Sequence, residues 1–139
     1  MSTFEWSKED NRCFACGNNP WGLGLEIQRG EDFVETRTCL NRNYQGFKDV
    51  AHGGIVATLL DEMGAWAAMN RTGSVAPSYK MDCEFLKPVP LEEEIRASGK
   101  VKDARHGIIE VETKIEAEDG NLLARALVKC RAIEEDTNF

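Results

Sequence analysis

The chain has 139 residues, of which 42% are hydrophobic and 29% charged, close to globular averages, so a disordered or collagen-like polymer is excluded and one domain over 1–139 is expected. A net charge of −7 argues against a nucleic-acid or anionic-membrane partner, and no run approaches the roughly 18 apolar residues of a membrane span. Residues 1–5 lack the basic and apolar regions of a secretory leader, and an odd number of cysteines, five, suits a reducing compartment, so the expected location is cytoplasmic.

Residues 1–20 read as an N-terminal arm and turn. The first twelve are polar without a period, and Cys13-Phe14-Ala15-Cys16-Gly17-Asn18-Asn19-Pro20 carries turn residues. Strands are expected at 23–28 and 33–40, joined by a hairpin at 29–32. A loop over 41–51, holding Gln45 and Phe47, leads to His52-Gly53-Gly54. From Ile55 the pattern becomes helical: Ile55, Val56, Leu59, Leu60, Met63, Trp66 and Ala67 share one face, and the helix should run to about Arg71, before Gly73. Period two then returns. Tyr79, Met81, Cys83 and Phe85 alternate with Lys80, Asp82 and Glu84, and Ile95, Ala97 and Val101 mark the next strand. Further strands are expected at 109–117 and 122–133 around an Asp119-Gly120 turn. Two strands, one long helix and four strands make an α+β fold, with a curved antiparallel sheet wrapped around one helix.

The helix carries the functional argument. At about 100° per residue Asp61 lies opposite the bulky stripe, beside Ala57, Thr58, Ala65 and Ala68. A carboxylate ringed by small residues suits a second subunit or a ligand; the plainer alternative is a solvated Asp. His52-Gly53-Gly54 offers no Ser, Thr, Asp or Asn as a cap, so amides of the first turn are expected to be free for an outside acceptor. Such amides, with the helix dipole behind them, suit a carbonyl oxygen that gains negative charge. Asp61 lies roughly 12 Å of helical rise from His52. Antiparallel helices in a dimer would bring one subunit's Asp61 to the other's glycines. Cys13 and Cys16 have Cys-x-x-Cys spacing, but no second pair matches it, and no metal is expected. Neither His52 nor His106 shares a catalytic motif with a cysteine.

Several segments in order, Cys13-Phe14-Ala15-Cys16-Gly17, Asn19-Pro20-Trp21-Gly22-Leu23, Gln45-Gly46, His52-Gly53-Gly54, Thr58-Leu59-Leu60-Asp61-Glu62, Phe85-Leu86-Lys87-Pro88 and Asp119-Gly120, resemble the PaaI-like branch of the hotdog-fold thioesterases, relatives of 4-hydroxybenzoyl-CoA thioesterase. The resemblance implies a hotdog fold and hydrolysis of a small or medium acyl- or aryl-CoA, without a cofactor. It implies Asp61 as nucleophile or general base and the Gly53 amide, from the other subunit, as carbonyl donor. Gln45 is the match for a helper at that oxygen and Ser78 for a hydroxyl that orients water, while His52 holds the loop. Glu62 can add charge, and Gly54 belongs with the substrate-binding residues. Phe47, Trp66 and Met69 could line an acyl pocket, with core packing as the alternative reading. For the CoA phosphates the basic candidates are Arg71, Lys80, Lys87, Lys100, Lys102, Arg105 and His106. The implied assembly is a homodimer with interfacial sites, or a tetramer. A non-catalytic acyl-CoA-binding module is the alternative; a hotdog dehydratase is disfavoured because a second catalytic His is missing.

Overall fold

The structure, a computed structural model, describes residues 10–133. Strand β1 (Gln28–Gly30) turns through Glu31-Asp32 into β2 (Phe33–Cys39), with Asp32 in the left-handed region at φ 55°. The strand expected at 23–28 is thereby displaced: only its last residue is in the sheet. The Leu23 and Leu25 amides donate instead to the Phe14 and Ala15 carbonyls at 2.8 and 2.9 Å, so this stretch pairs with the N-terminal turn. Helix α1 (Gly53–Thr72) starts two residues before Ile55 and ends at Gly73, whose amide donates to the Met69 carbonyl.

Strands β3 (Ser78–Phe85), β4 (Glu94–Arg105), β5 (Ile108–Ala117) and β6 (Leu122–Arg131) complete one antiparallel sheet in the order β1-β2-β4-β5-β6-β3. Consecutive pairing would have put β3 beside β4. It crosses instead to the far edge and pairs with β6, so the helix touches β2, β3, β4, β5 and β6. Bulges in β3, β4 and the β5–β6 ladder bend the sheet, which therefore curls around the helix as in a hotdog fold. Among the described residues no helix is long and apolar enough to cross a membrane.

The alternating strand residues and the helical stripe meet in one core. Val56, Leu59, Leu60, Met63 and Ala67 are buried against Ile95, Ala97, Val111, Ile115, Ala124 and Val128. Toward its C-terminal end α1 is covered almost all round. Ala68, which helical phase placed on the Asp61 side, is fully buried there. Asn70 is buried too, and its Nδ2 donates to the Gly30 carbonyl at 2.8 Å, tying the helix to β1.

The helix lies directly on the sheet. A Cβ at Gly64 would sit 2.6 Å from Val128 Cβ, and one at Gly99 would sit 2.7 Å from the Met63 carbonyl oxygen. Alanine at Gly64 would gain helix propensity of about 1 kcal/mol. Overpacking against Val128, at about 1–3 kcal/mol, should match or exceed that gain. Gly64→Ala should therefore lower, not raise, the urea-unfolding midpoint; a more stable variant would contradict this packing.

Candidate active site

Asp61 is partly buried on α1, and its Oδ1 accepts a 2.5 Å hydrogen bond from Ser78 Oγ at the start of β3. The other oxygen, Oδ2, has no hydrogen-bond partner among the described residues, and no Lys, Arg or His there forms an ion pair with Asp61. The carboxylate is thus oriented without being neutralised. Two thiols lie near it. Burial, then the charges of Asp61 and Asp82, push the Cys83 thiol up; burial and Asp61 push Cys130 up to about 12. Neither forms a ready thiolate at neutral pH, so Asp61 is the stronger candidate for attack or base chemistry here.

A bulge between Ser78 and Lys80 sets the facing of β3. Ser78 pairs with buried Cys130 on the helix side, whereas Lys80 pairs with the next residue along β6, Lys129, on the outer side. Lys80 and Asp61 are accordingly on opposite faces of the sheet. Tyr79, the extra residue, lies under Arg131, whose Cζ is 5.3 Å from the ring centroid.

The first turn of α1 differs from the expectation of an uncapped end. His52 is the N-cap, and its Nδ1 accepts from the Gly54 amide at 2.8 Å. A neutral imidazole nitrogen thus does what a Ser or Asp oxygen would do. The Ile55 and Val56 amides donate to the His52 carbonyl at 2.9 and 3.1 Å. This leaves the exposed Gly53 N–H as the amide of that turn without a partner among the described residues. Phe85, an exposed aromatic, is close by: its Cε1 is 3.9 Å from where a Gly53 Cβ would be.

The preceding loop is held against this turn. His52 donates its amide to the Tyr44 carbonyl at 2.8 Å, and Gln45 bridges to Ala51. Gln45 Oε1 accepts from the Asp49 amide at 2.7 Å, which leaves its side-chain NH₂ without a partner among the described residues. Phe47, at the loop tip, is 89% exposed.

Glu62 points elsewhere. It accepts from Trp66 Nε1 at 3.1 Å and lies beside Cys13, and burial raises its pKa. Trp66 is 8% exposed and Met69 6%, so both are core residues of this chain, with Arg29 over the Trp66 ring at 5.7 Å. Among the basic candidates, Arg71 pairs with Asp32 at 2.8 Å and Arg105 with Asp103 at 3.2 Å. Lys100 and Lys102 line a groove of about 830 Å³ with Ser98, Lys114 and Arg125, but Glu84 and Glu112 line it too. That groove, though the larger of the cavities described, excludes both Asp61 and Gly53. The oriented carboxylate and open amide make the stronger chemical case. Sequence reasoning missed the His52 cap and the meeting of Glu62 with Cys13 and Cys16; a histidine immediately before two glycines was the signal for the first.

The profile of the Thioesterase superfamily matches residues 48–124, more than half the chain and including His52, Gly53, Asp61 and Ser78. The chain belongs to this superfamily. Solved structures of similar fold include the E. coli PaaI protein from the phenylacetic acid degradation operon, with a TM-score of 0.75, 20% identity and 81% of each chain covered. A thioesterase from Haemophilus influenzae has a TM-score of 0.72 and 22% identity over 81% of this chain and 80% of its own. A Streptococcus mutans protein bound to acetyl CoA has a TM-score of 0.73 and 18% identity over 78% of this chain and 88% of its own. No curated protein sequence is matched.

Loss of the cap should be measurable without any substrate. His52→Ala should lower stability by about 1 kcal/mol, while His52→Asn, which keeps an acceptor, should retain most of it. Equal unfolding midpoints for wild type and His52→Ala would remove the cap from the account.

Proposed function

We propose that the protein hydrolyses acyl-CoA thioesters at a site shared by two copies of the chain. The observation that carries this reading is Asp61: a partly buried carboxylate, fixed by Ser78 through one oxygen and left without a cation or a donor on the other among the described residues. A structural carboxylate in such a place is ordinarily paired. An unneutralised one is suited to activate water or attack a carbonyl carbon.

The oxygen of the thioester carbonyl gains charge as the nucleophile adds. The Gly53 N–H, at the positive end of α1, is the donor suited to receive it, and the Gln45 side-chain amide can assist. Asp61 acts as base or nucleophile, and Ser78 holds it and can orient water. Collapse of the adduct breaks the C–S bond, releasing coenzyme A thiol and, after water has added, the carboxylic acid. A carboxylate and an oxyanion donor, each worth on the order of 10²-fold or more, suffice for an activated ester without metal in the reaction. Superfamily membership supports hydrolysis of a thioester, and the acetyl CoA in the S. mutans protein of like fold supports CoA as its thiol. The substrate class is a small or medium acyl or aryl group, with Phe47 and Phe85 as the exposed aromatics near the Gly53 end.

Eight residues separate Gly53 from Asp61, about 12 Å of helical rise, too far for one carbonyl. The second copy supplies the missing half. Edge strand β3, beside Asp61, carries exposed Tyr79 and Phe85 and is a surface that another copy can cover.

Two substitutions test the chemistry. Asp61→Asn should cut kcat on the best of a panel of aryl, short-chain and long-chain acyl-CoAs by about 10²-fold or more. Gly53→Pro replaces the amide hydrogen with a ring carbon at the first helical position, where proline is tolerated; His52, at φ −61° and ψ 137°, already has the conformation that proline requires before it. It should cost a similar factor with the fold intact. No turnover by wild type, or full rate in Asp61→Asn, would sink the assignment.

A mixing experiment tests the shared site. Each variant alone should be nearly inactive, but a heterodimer of the two has one site with both wild-type groups. After statistical exchange about one quarter of wild-type activity should return. Stable heterodimers that remain inactive would place both groups in one chain's site.

A further inference from the structure

Glu62 is the residue after the proposed base, yet its side chain turns toward the N-terminal turn. There Cys13, Cys16 and Glu62 place two sulfurs and a carboxylate oxygen within 4.8 Å of one another. Cys13 Sγ is 3.9 Å from each Glu62 oxygen. Ligands on one tetrahedral zinc ion, at about 2.3 Å for sulfur and 2.1 Å for oxygen, lie about 3.6–3.8 Å apart. Shifts of about 1 Å or less would close the set.

The turn that presents the cysteines has the features of a metal knuckle. The Ala15 amide donates to Cys13 Sγ at 3.3 Å, and Asn11 Nδ2 donates to Cys16 Sγ at 3.4 Å. Both sulfurs therefore receive N–H donors, which stabilise thiolates and orient them. Asn11 is itself buried, and its Oδ1 accepts from the Cys13 amide at 2.9 Å. The Gly17 amide closes the turn on the Cys13 carbonyl, and a Cβ at Gly17 would lie 2.3 Å from the Cys13 nitrogen. Only glycine fits there. On the opposite side Trp66 Nε1 fixes the Glu62 carboxylate.

Three acids in one partly buried place repel one another when ionised. A divalent ion reverses that balance by taking the negative charge of all three.

We propose that Cys13, Cys16 and Glu62 bind one zinc ion that fastens the N-terminal turn to α1. Both thiols lose their protons to solvent on binding and the carboxylate coordinates as the anion; no electron is transferred. Thiolate donors favour zinc over magnesium or calcium, and three protein donors leave a position for water. The site differs from the Asp61 chemistry, and Cys13 and Cys16 lie outside the segment that the superfamily profile matches. Its readout is metal, not hydrolysis, so it stands or fails separately from the proposed activity.

The test uses the full chain, reduced, stripped with chelator, then dialysed with zinc or cobalt(II). The expected result is one zinc per chain, together with a thiolate-to-cobalt charge-transfer band and a higher melting temperature in zinc. Cys13→Ser and Cys16→Ser should retain less than about a tenth of the zinc, while Cys39→Ser, an exposed thiol on β2, should retain all of it. Glu62→Gln, which keeps an oxygen for Trp66 and so should keep the fold, should weaken zinc binding at least about tenfold. If a serine variant does not fold, Glu62→Gln and the wild-type cobalt spectrum decide. Absence of zinc from the reduced wild type, binding that survives both serine substitutions, or a Cys13–Cys16 disulfide whose reduction restores no zinc binding would overturn the proposal.

Discussion

The near contact of the helix backbone with the sheet, at Gly64 over Val128 and at the Met63 carbonyl over Gly99, governs the rest of the structure. With no side chain on Gly64 or on Gly99 to hold them apart at these two points, the layers lock in position and in rotation. The helix cannot roll without driving a Cβ or a carbonyl into β4 or β6. Its rotation in turn aims each remaining side chain. Asp61 turns toward Ser78 on β3, and Glu62, about 100° further round, turns toward the N-terminal turn. Two neighbouring acids thereby enter two different environments, one with a hydroxyl donor and one with an indole and two thiols.

The same division of labour is visible at the start of the helix. Four amides of a first turn ordinarily need outside partners. Here the His52 carbonyl takes those of Ile55 and Val56, and the His52 imidazole takes that of Gly54. A donor without a partner is left at Gly53, in an exposed position at the positive end of a twenty-residue helix. Capping thus narrows a diffuse anion-attracting terminus to a single direction.

Much of this was legible in the sequence because it rests on periodicity. The three- and four-residue spacing from Ile55 to Ala67 gave the helix, and alternation gave β3 to β6 nearly to their ends. Asp61 stood out by helical phase and Gly53 by the His-Gly-Gly turn, whereas Gln45 and Ser78 were indicated only by the resemblance to a family, because neither a loop nor a strand end has a period that would single them out. What escaped depends on partners distant along the chain. The stretch around Leu23 and Leu25 alternates like a strand, but its amides are claimed by Phe14 and Ala15, and nothing local records that competition. Glu62 looked like an accessory to Asp61 because they are adjacent, while its actual neighbour, Cys13, lies 49 residues away. Trp66 was a pocket candidate by position, and the wrap of the sheet and N-terminal segment buried it. The side of Ser78 was unreadable for a different reason: strict alternation would set it beside Lys80 on the outer face, but one unpaired residue inverts the phase of the strand, and composition does not announce it.

That unpaired residue, Tyr79, also limits how β3 can be used. An edge strand invites addition of further strands without end, a route to aggregation. The bulge at Ser78/Lys80 interrupts the ladder, so the regular edge spans only residues 80–85, and Lys80, Asp82 and Glu84 put charge along its outer side. A short, charged edge discourages open-ended addition of strands. The irregularity that aims a hydroxyl at Asp61 therefore also guards the edge of the sheet against strand addition.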